Sequence, residues 1–258
     1  MKIVVLVKYV PEPTATWKFA ADLTLDRAGV EGRLSELDEY AVEQAVQLAE
    51  KAGAEVVYLT VGPAKAGEGL RKALAIGGDS AVHVLDDAVH GSDALGTSLV
   101  LAKALETIGF DLVLAGMAST DAEMSVVPSM VADRLGANQA TFAGELTVDG
   151  DAVSIRRDTD TASERVAVTL PAVVTVTDQI GEARYPAFKA IMAAKKKPVQ
   201  TLGLTDIGLD AGQVGMAAAA VKTVSITPTP ARAAGTIVTD DGEGANALAD
   251  FLAGRGFI

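Results

Sequence analysis

Residues 111–127 read DLVLAGMASTDAEMSVV: a strand, a loop and the start of a helix. Residues 111–115 form a short apolar run of the kind found in strands buried on both faces. Gly116 closes it and a polar loop continues to Met124. Val127, Met130, Val131 and Leu135 then recur at helical spacing. Pro128 suits that helix only near its start, where an absent N–H costs nothing.

The same unit repeats upstream. Residues 2–7 read as a strand, followed by a long loop with Pro11, Pro13, Trp17 and Phe19. Ser35 with Asp38 three residues on fits a capping box. Beyond it Ala41, Val42, Ala45, Val46, Leu48 and Ala49 run at helical spacing until Gly53. Residues 55–61 make a second strand, broken by Gly62 and Pro63. Leu70, Ala73 and Leu74 mark a short helix that stops at Gly77 and Gly78. Residues 81–85 make a third strand, and Ser92 is placed to cap a helix carrying Leu95, Leu99, Ala102, Leu105 and Ile108. This alternation predicts an α/β fold: an open, mostly parallel sheet with helices on both faces.

After residue 139 the pattern changes. Residues 139–148, 152–157 and 165–176 look like strands joined by Asp/Gly turns, read as antiparallel additions to the sheet or its edge. Residues 201–240 are rich in Thr, Ala, Gly and Pro and lack periodicity; composition fits an arm lying on a partner as well as a solvated tail. A last helix is expected near residues 245–253. The expected organisation is one α/β domain over residues 1–200 and a C-terminal arm with a helix over 201–258.

Composition narrows the function. Hydrophobic residues make up 49% of the 258 and aromatics only 4%, so Val, Ala and Leu fill the core. There is no cysteine, which removes disulfides, thiolate ligands and cysteine nucleophiles. His83 and His90 are the two histidines, too few to suggest a zinc site or a histidine-based triad. A formal charge of -12 argues against nucleic-acid binding. The opening MKIVVLVK is too short an apolar run for a signal peptide or membrane insertion, so a cytoplasmic protein is expected. No spacing of side chains suggests catalysis by the chain itself.

Open α/β sheets hold ligands beyond the carboxyl ends of their strands. Those ends carry residues 8–13, 61–66 and 116–127. The third is the most suggestive, because its small residues let backbone N–H groups approach a ligand and a helix N-terminus lies just beyond. Thr120 and Glu123 equally fit a capping box, a purely structural role. Asp121 and Glu123 would repel a phosphate and belong nearer ribose hydroxyls or solvent. The loop matches neither a P-loop nor G-x-G-x-x-G. Lys8 ends the first strand at the same crevice.

A second candidate is RYPAFKAIMAAKKKPVQ, residues 184–200. Lysines at a helix end complement its dipole, and Pro198 stops the helix. Phe188, Ile191 and Met192 share one face of a helical turn. That face can pack inward, or serve as the apolar anchor of a partner site with a basic rim.

From VLVKYVPEP through LDEYAVEQAVQL, VGPAKAGEGLRKALAIGGD and DLVLAGMASTDAEMSVVPSMVADRLGANQATFAGEL to LPAVVTVTDQIGEARYPAFKAIMAAKKKP, the chain resembles the β subunit of electron-transfer flavoproteins. The resemblance implies a heterodimer whose α subunit holds most of an FAD, with a structural AMP in the β subunit. It implies electrons taken from acyl-CoA dehydrogenases, as in fatty acid oxidation, and passed to an electron-transfer flavoprotein:quinone oxidoreductase. The nucleotide pocket then maps to Leu6, Ser35, Glu36, Leu37, Asp38, Ala66, Gly116, Met117, Ala118, Ser119, Thr120, Asp121, Ala122, Glu123, Met124, Ser125, Val126 and Val127. The dehydrogenase-recognition loop, residues 184–198, maps to Arg184, Tyr185, Pro186, Ala187, Phe188, Ile191, Met192, Lys195, Lys196 and Lys197, with Phe188 where the family usually has leucine. Residues 201–258 would pack on the α subunit. Two other readings remain: a bifurcating-type subunit with a second FAD in place of AMP, and a stress-type nucleotide-binding regulatory module.

Overall fold

The computed structural model describes residues 1–27 and 29–258. The chain opens with β1 (Lys2–Leu6) and folds back through an antiparallel ribbon of β2 (Tyr9–Pro11) and β3 (Gly32–Leu34). It then alternates: α1 (Glu36–Ala52), β4 (Glu55–Val61), α2 (Gly67–Ile76), β5 (Ser80–Val84), α3 (Ala94–Ile108), β6 (Leu112–Gly116) and α4 (Val127–Leu135). Five strands follow: β7 (Asn138–Ala143), β8 (Glu145–Asp149), β9 (Ala152–Asp158), β10 (Ser163–Thr169) and β11 (Ala172–Val176). The remaining elements are α5 (Phe188–Ala194), β12 (Val199–Leu202), the one-turn α6 (Gly215–Ala218) and α7 (Gly244–Gly254).

Seven strands build the main sheet in the order β12-β5-β4-β1-β6-β11-β7, every pair parallel. Side chains on β1 alternate between two cores, as a pleated strand requires. Ile3, Val5 and Val7 pack with Ala41 and Val42 of α1 and Leu70 and Leu74 of α2. Val4 and Leu6 pack with Val100 and Leu105 of α3 and Val131 of α4. Helices therefore cover both faces, the architecture expected from the alternation. Gly53 ends α1 in the left-handed region at φ 66°, its N–H bonded to Ala49 O at 2.8 Å, a conformation glycine adopts without a Cβ penalty.

The later strands divide differently from expectation. The apolar run 139–148 breaks at Gly144: its first half, β7, joins the main sheet in parallel, and its second half, β8, pairs antiparallel with β9. The run 165–176 breaks at Pro171, which has no N–H for a ladder. Its first part, β10, completes the small antiparallel sheet, and β11 inserts between β6 and β7. Ser92 does not cap α3. Asp93 does, its carboxylate accepting Gly96 N–H at 3.0 Å, where an ionised oxygen suits the helix dipole better than a hydroxyl. The Ser92 hydroxyl instead donates to Val89 O and accepts from Gly215 N–H.

The chain remains in this body past residue 200. β12 pairs with β5, and Leu202, Leu204, Ile207, Leu209 and Val214 are buried in the core that α3 covers. The first compact unit is Met1–Val224, so the expected boundary at residue 200 falls inside it. The second unit, Ser225–Ile258, contains one helix, α7, with no buried residue; Arg255 stacks over the Phe251 ring at 5.3 Å.

Candidate functional site

The strand order reverses at β1: the chain moves from β1 to β4 and β5 on one side, then to β6 on the other. The loops leaving β1 and β6 therefore diverge and open a crevice at their carboxyl ends. Ser35, Leu37, Asp38, Gly116, Ser119 and Asp121 meet around it through Lys8 and the Gly116 backbone, while the Leu6 side chain packs into the core.

Asp38 joins the two strand ends. Its carboxylate accepts Lys8 N–H at 2.8 Å and lies against the Gly116 backbone, whose N–H also favours the charged form. The expected Ser35/Asp38 capping box is absent because Ser35 N–H already donates to Lys8 O at 2.9 Å, leaving the carboxylate to the strands. Gly116 is needed for this approach: a Cβ there would lie 2.7 Å from the Leu37 carbonyl and from Asp38 Oδ1. Burial pushes the Asp38 carboxyl up to about 7, against the opposing pull of the two N–H donors and the Lys8 charge. Because the folded value lies above the ordinary 3.8, the proton's stabilising contribution is full below about pH 4 and is lost as pH rises through about 7. In a carbon-detected titration Asp38 should have its midpoint near 7. A midpoint near 4 would mean the N–H donors outweigh desolvation.

Asp121 lies beside it, and of the two places the sequence suggests for it, near ribose hydroxyls or in solvent, its burial removes the second. Its side chain is 1% exposed and is shared by two cations. Lys8 Nζ donates to it at 2.8 Å and to Ser119 Oγ at 3.3 Å, and Arg27 donates from the loop between β2 and β3. Burial opposes its ionisation, but the Lys8 and Arg27 charges win and hold the carboxyl at about 2. Lys8 itself is pushed down by desolvation, more than Asp121 restores. Arg27 carries no periodicity or motif in the sequence, and only the fold brings it here.

The rest of the loop spreads outward. Met117 N–H continues the sheet by donating to Val176 O at 2.9 Å. Thr120 and Glu123 form no capping box: Glu123 sits at φ 49° and its N–H donates to Ser119 O, within a turn before α4 begins. Ala122, Glu123, Met124 and Val126 are exposed. Val126 borders a cavity of about 440 Å³ with Leu95, Ser129, Met130, Asp133 and Arg134, away from Asp38 and Asp121. Glu36 turns out to solvent and pairs with Arg33 at 2.8 Å, and Ala66 is buried in the turn after β4, one strand from Leu6. The Ser35 and Thr120 hydroxyl oxygens are buried with no hydrogen-bond partner among the described residues. Such atoms are costly unless a polar group meets them, so the crevice fits a ligand rich in hydroxyls or nitrogens. Two cations against one ionised carboxylate leave a positive excess suited to a phosphate.

The second candidate segment is built differently. Tyr185 and Phe188 are 98% and 78% exposed, Ile191 and Met192 are exposed beside them, and Ala194 is the buried residue of α5. Arg184 lies back along α1, with 37% of its side chain still exposed. Its guanidinium forks onto Glu43 at 2.8 Å and Glu50 at 2.6 Å, both on α1. Burial pushes Glu43 up, but hydrogen bonds from Arg184 and Gln47 outweigh it and hold the carboxyl below the usual range. A glutamate among the apolar positions of α1 was the sequence's signal that a cation would arrive. Lys195 and Lys196 are exposed, whereas Lys197 Nζ donates to Leu74 O at 2.8 Å and Gly77 O at 3.1 Å.

His83 is a core histidine, its Nε2 2.9 Å from Gly62 O, and His90 pairs with Asp22 at 2.8 Å. Among the described residues no cluster of His, Asp and Glu is arranged to hold a metal, and no helix is long and apolar enough to cross a membrane.

A parallel sheet whose strand order reverses over a crevice of small residues with two cations on one carboxylate defines an α/β protein of the ligand-holding, doubly wound class. The family model described as "Electron transfer flavoprotein domain" matches residues 22–207. The chain is 44% identical over 263 residues to "Electron transfer flavoprotein subunit beta" of Mycobacterium bovis, covering 99% of each. It is 31% identical over 93% of the chain and 92% of the relative to the protein of that name from Thermoanaerobacterium thermosaccharolyticum. It is 36% identical over 81% of each to that from Sus scrofa. The chain belongs to the electron transfer flavoprotein family, among its β subunits.

Proposed function

We propose that this chain is the β subunit of a heterodimeric, FAD-containing electron carrier, that it binds AMP in the β1/β6 crevice, and that it docks an acyl-CoA dehydrogenase through residues 184–198. Similarity over 99% of both chains to a β subunit carries the reading. FAD, held mostly by the α subunit, supplies the one- and two-electron chemistry when bound, and a quinone oxidoreductase is the acceptor.

This chain binds and orients. In the crevice the partnerless hydroxyls of Ser35 and Thr120 meet polar edges of the nucleotide, and Lys8 and Arg27 supply the positive excess near its phosphate. Asp121 fixes those two cations before the ligand arrives, which removes their ordering cost from binding. At the docking segment, the exposed aromatic and aliphatic side chains of Tyr185, Phe188, Ile191 and Met192 are the anchor, and Lys195 and Lys196 the rim. Residues 225–258, whose helix buries nothing within its own unit, pack on the α subunit.

Cofactor stoichiometry tests the proposal. The chain co-purified with its α partner should yield one FAD and one released AMP per heterodimer. Two flavins would replace AMP by a second FAD, as in a bifurcating carrier. A stable, ATP-binding homodimer without flavin would overturn both.

A further inference from the structure

Helix α5 has seven residues, well under the ~12–15 at which an isolated helix holds together. Its apolar residues Phe188, Ile191 and Met192 face outward, and no side chain caps its start. Burial of Ala194 alone does not account for its order. What holds it is an exchange of caps with α2, the helix it packs against. Arg71, on α2, donates from Nη1 to the carbonyls of Ala194 and Lys197, both at 3.0 Å, at the end of α5. Lys197, just past α5, donates from Nζ to the carbonyls of Leu74 and Gly77 at the end of α2. Each helix thus supplies the cation that satisfies the other's terminal carbonyls and complements its dipole. Arg184 pins the start of the segment to Glu43 and Glu50.

We propose that Arg71 and Lys197 are positioning residues for dehydrogenase docking: their reciprocal caps preset α5 so that Phe188 is presented before the partner arrives. The inference rests on the docking reading above and adds two residues whose side-chain donors are engaged within this chain. It also divides the lysine triplet, since Lys195 and Lys196 are free to meet a partner while Lys197 is spent on α2. A segment that must be ordered on binding lowers affinity without altering the contacts finally made. Loss of either cap should therefore raise KM and leave kcat unchanged.

The test uses the intact heterodimer carrying Lys197→Met, Arg71→Met or Lys197→Arg, with Phe188→Ala as a comparison. The probe is an acyl-CoA dehydrogenase that reduces the wild-type heterodimer, reduced by its acyl-CoA, with the heterodimer as varied substrate. The two Met variants should speed amide hydrogen exchange across residues 190–197 by at least about fivefold. They should raise KM roughly three- to tenfold at unchanged kcat and flavin content, and Lys197→Arg should restore both readouts in large part. Faster exchange with unchanged KM would reduce the caps to local stability and overturn the proposal, as would unchanged exchange. If Phe188→Ala raises KM while the Met variants change neither readout, docking stands and positioning fails. If Phe188→Ala has no effect while the Met variants speed exchange, it is the docking reading that fails.

Discussion

Replacing Asp121 by alanine should destabilise the protein by about 2–3 kcal/mol. Removing one partner of a buried ion pair typically costs ~3–5 kcal/mol, because the other charge is left unmatched. Here the carboxylate is 1% exposed but Lys8 and Arg27 keep 39% and 34% of their side-chain surface in contact with water, so the lower figure is appropriate. The loss should appear as a fall in Tm of roughly 5–10 °C for a chain of this size. Lys8→Met should cost clearly less, since Asp121 would still be matched by Arg27. The pH dependence has a definite sign. The folded carboxyl titrates at about 2, below the ordinary 3.8, so the stabilisation is present above about pH 4 and disappears as pH falls through 2. The variant should therefore differ from wild type at pH 7 and converge with it in strong acid. Thermal scans of the heterodimer at several pH values measure this. Equal costs for Asp121→Ala and Lys8→Met would rule out a shared counter-ion.

That cluster also marks where sequence reading stops. Lys8 was legible as a strand end at the crevice, because the continuous apolar run of β1 stops at it. Arg27 was not, because it sits in a loop with no periodicity and reaches Asp121 from 94 positions away. Ser35 and Asp38 have the spacing of a capping box and also of a buried clasp between strands; only the position of Lys8 O, which takes the Ser35 N–H, decides between them. The main alternation was legible from β1 to α4 because short apolar runs alternate with helices long enough to display their period. β11 was not assigned to the parallel sheet because a five-residue run buried on both faces looks the same whichever way its neighbours run. β12 is four residues of an edge strand in a polar stretch, too short for any pattern to identify. In the lysine triplet, charge alone could not separate Lys197 from its neighbours; the turn at Pro198 into β12 does.

Phe188→Ala should lower kcat/KM for the dehydrogenase roughly 30-fold, the equivalent of ~2 kcal/mol for an interface hot spot. The side chain is 78% exposed, so the chain's own core gains little from it. A partner pocket that excludes water from the ring would gain much more, because fully burying a phenylalanine is worth ~1.5–3 kcal/mol. The substitution therefore separates docking from folding: Tm and FAD content should remain at wild-type values while electron transfer slows. Phe188→Leu sharpens the test, since the family resemblance places leucine at this position. If the pocket accepts a general apolar anchor, the leucine variant should lie within a few-fold of wild type, as volume-tolerant apolar swaps usually do. If it is shaped for an aromatic ring, leucine should fall nearer to alanine. Stopped-flow reduction of the heterodimer by the reduced dehydrogenase distinguishes these outcomes, and an alanine variant as fast as wild type would remove Phe188 from the interface altogether.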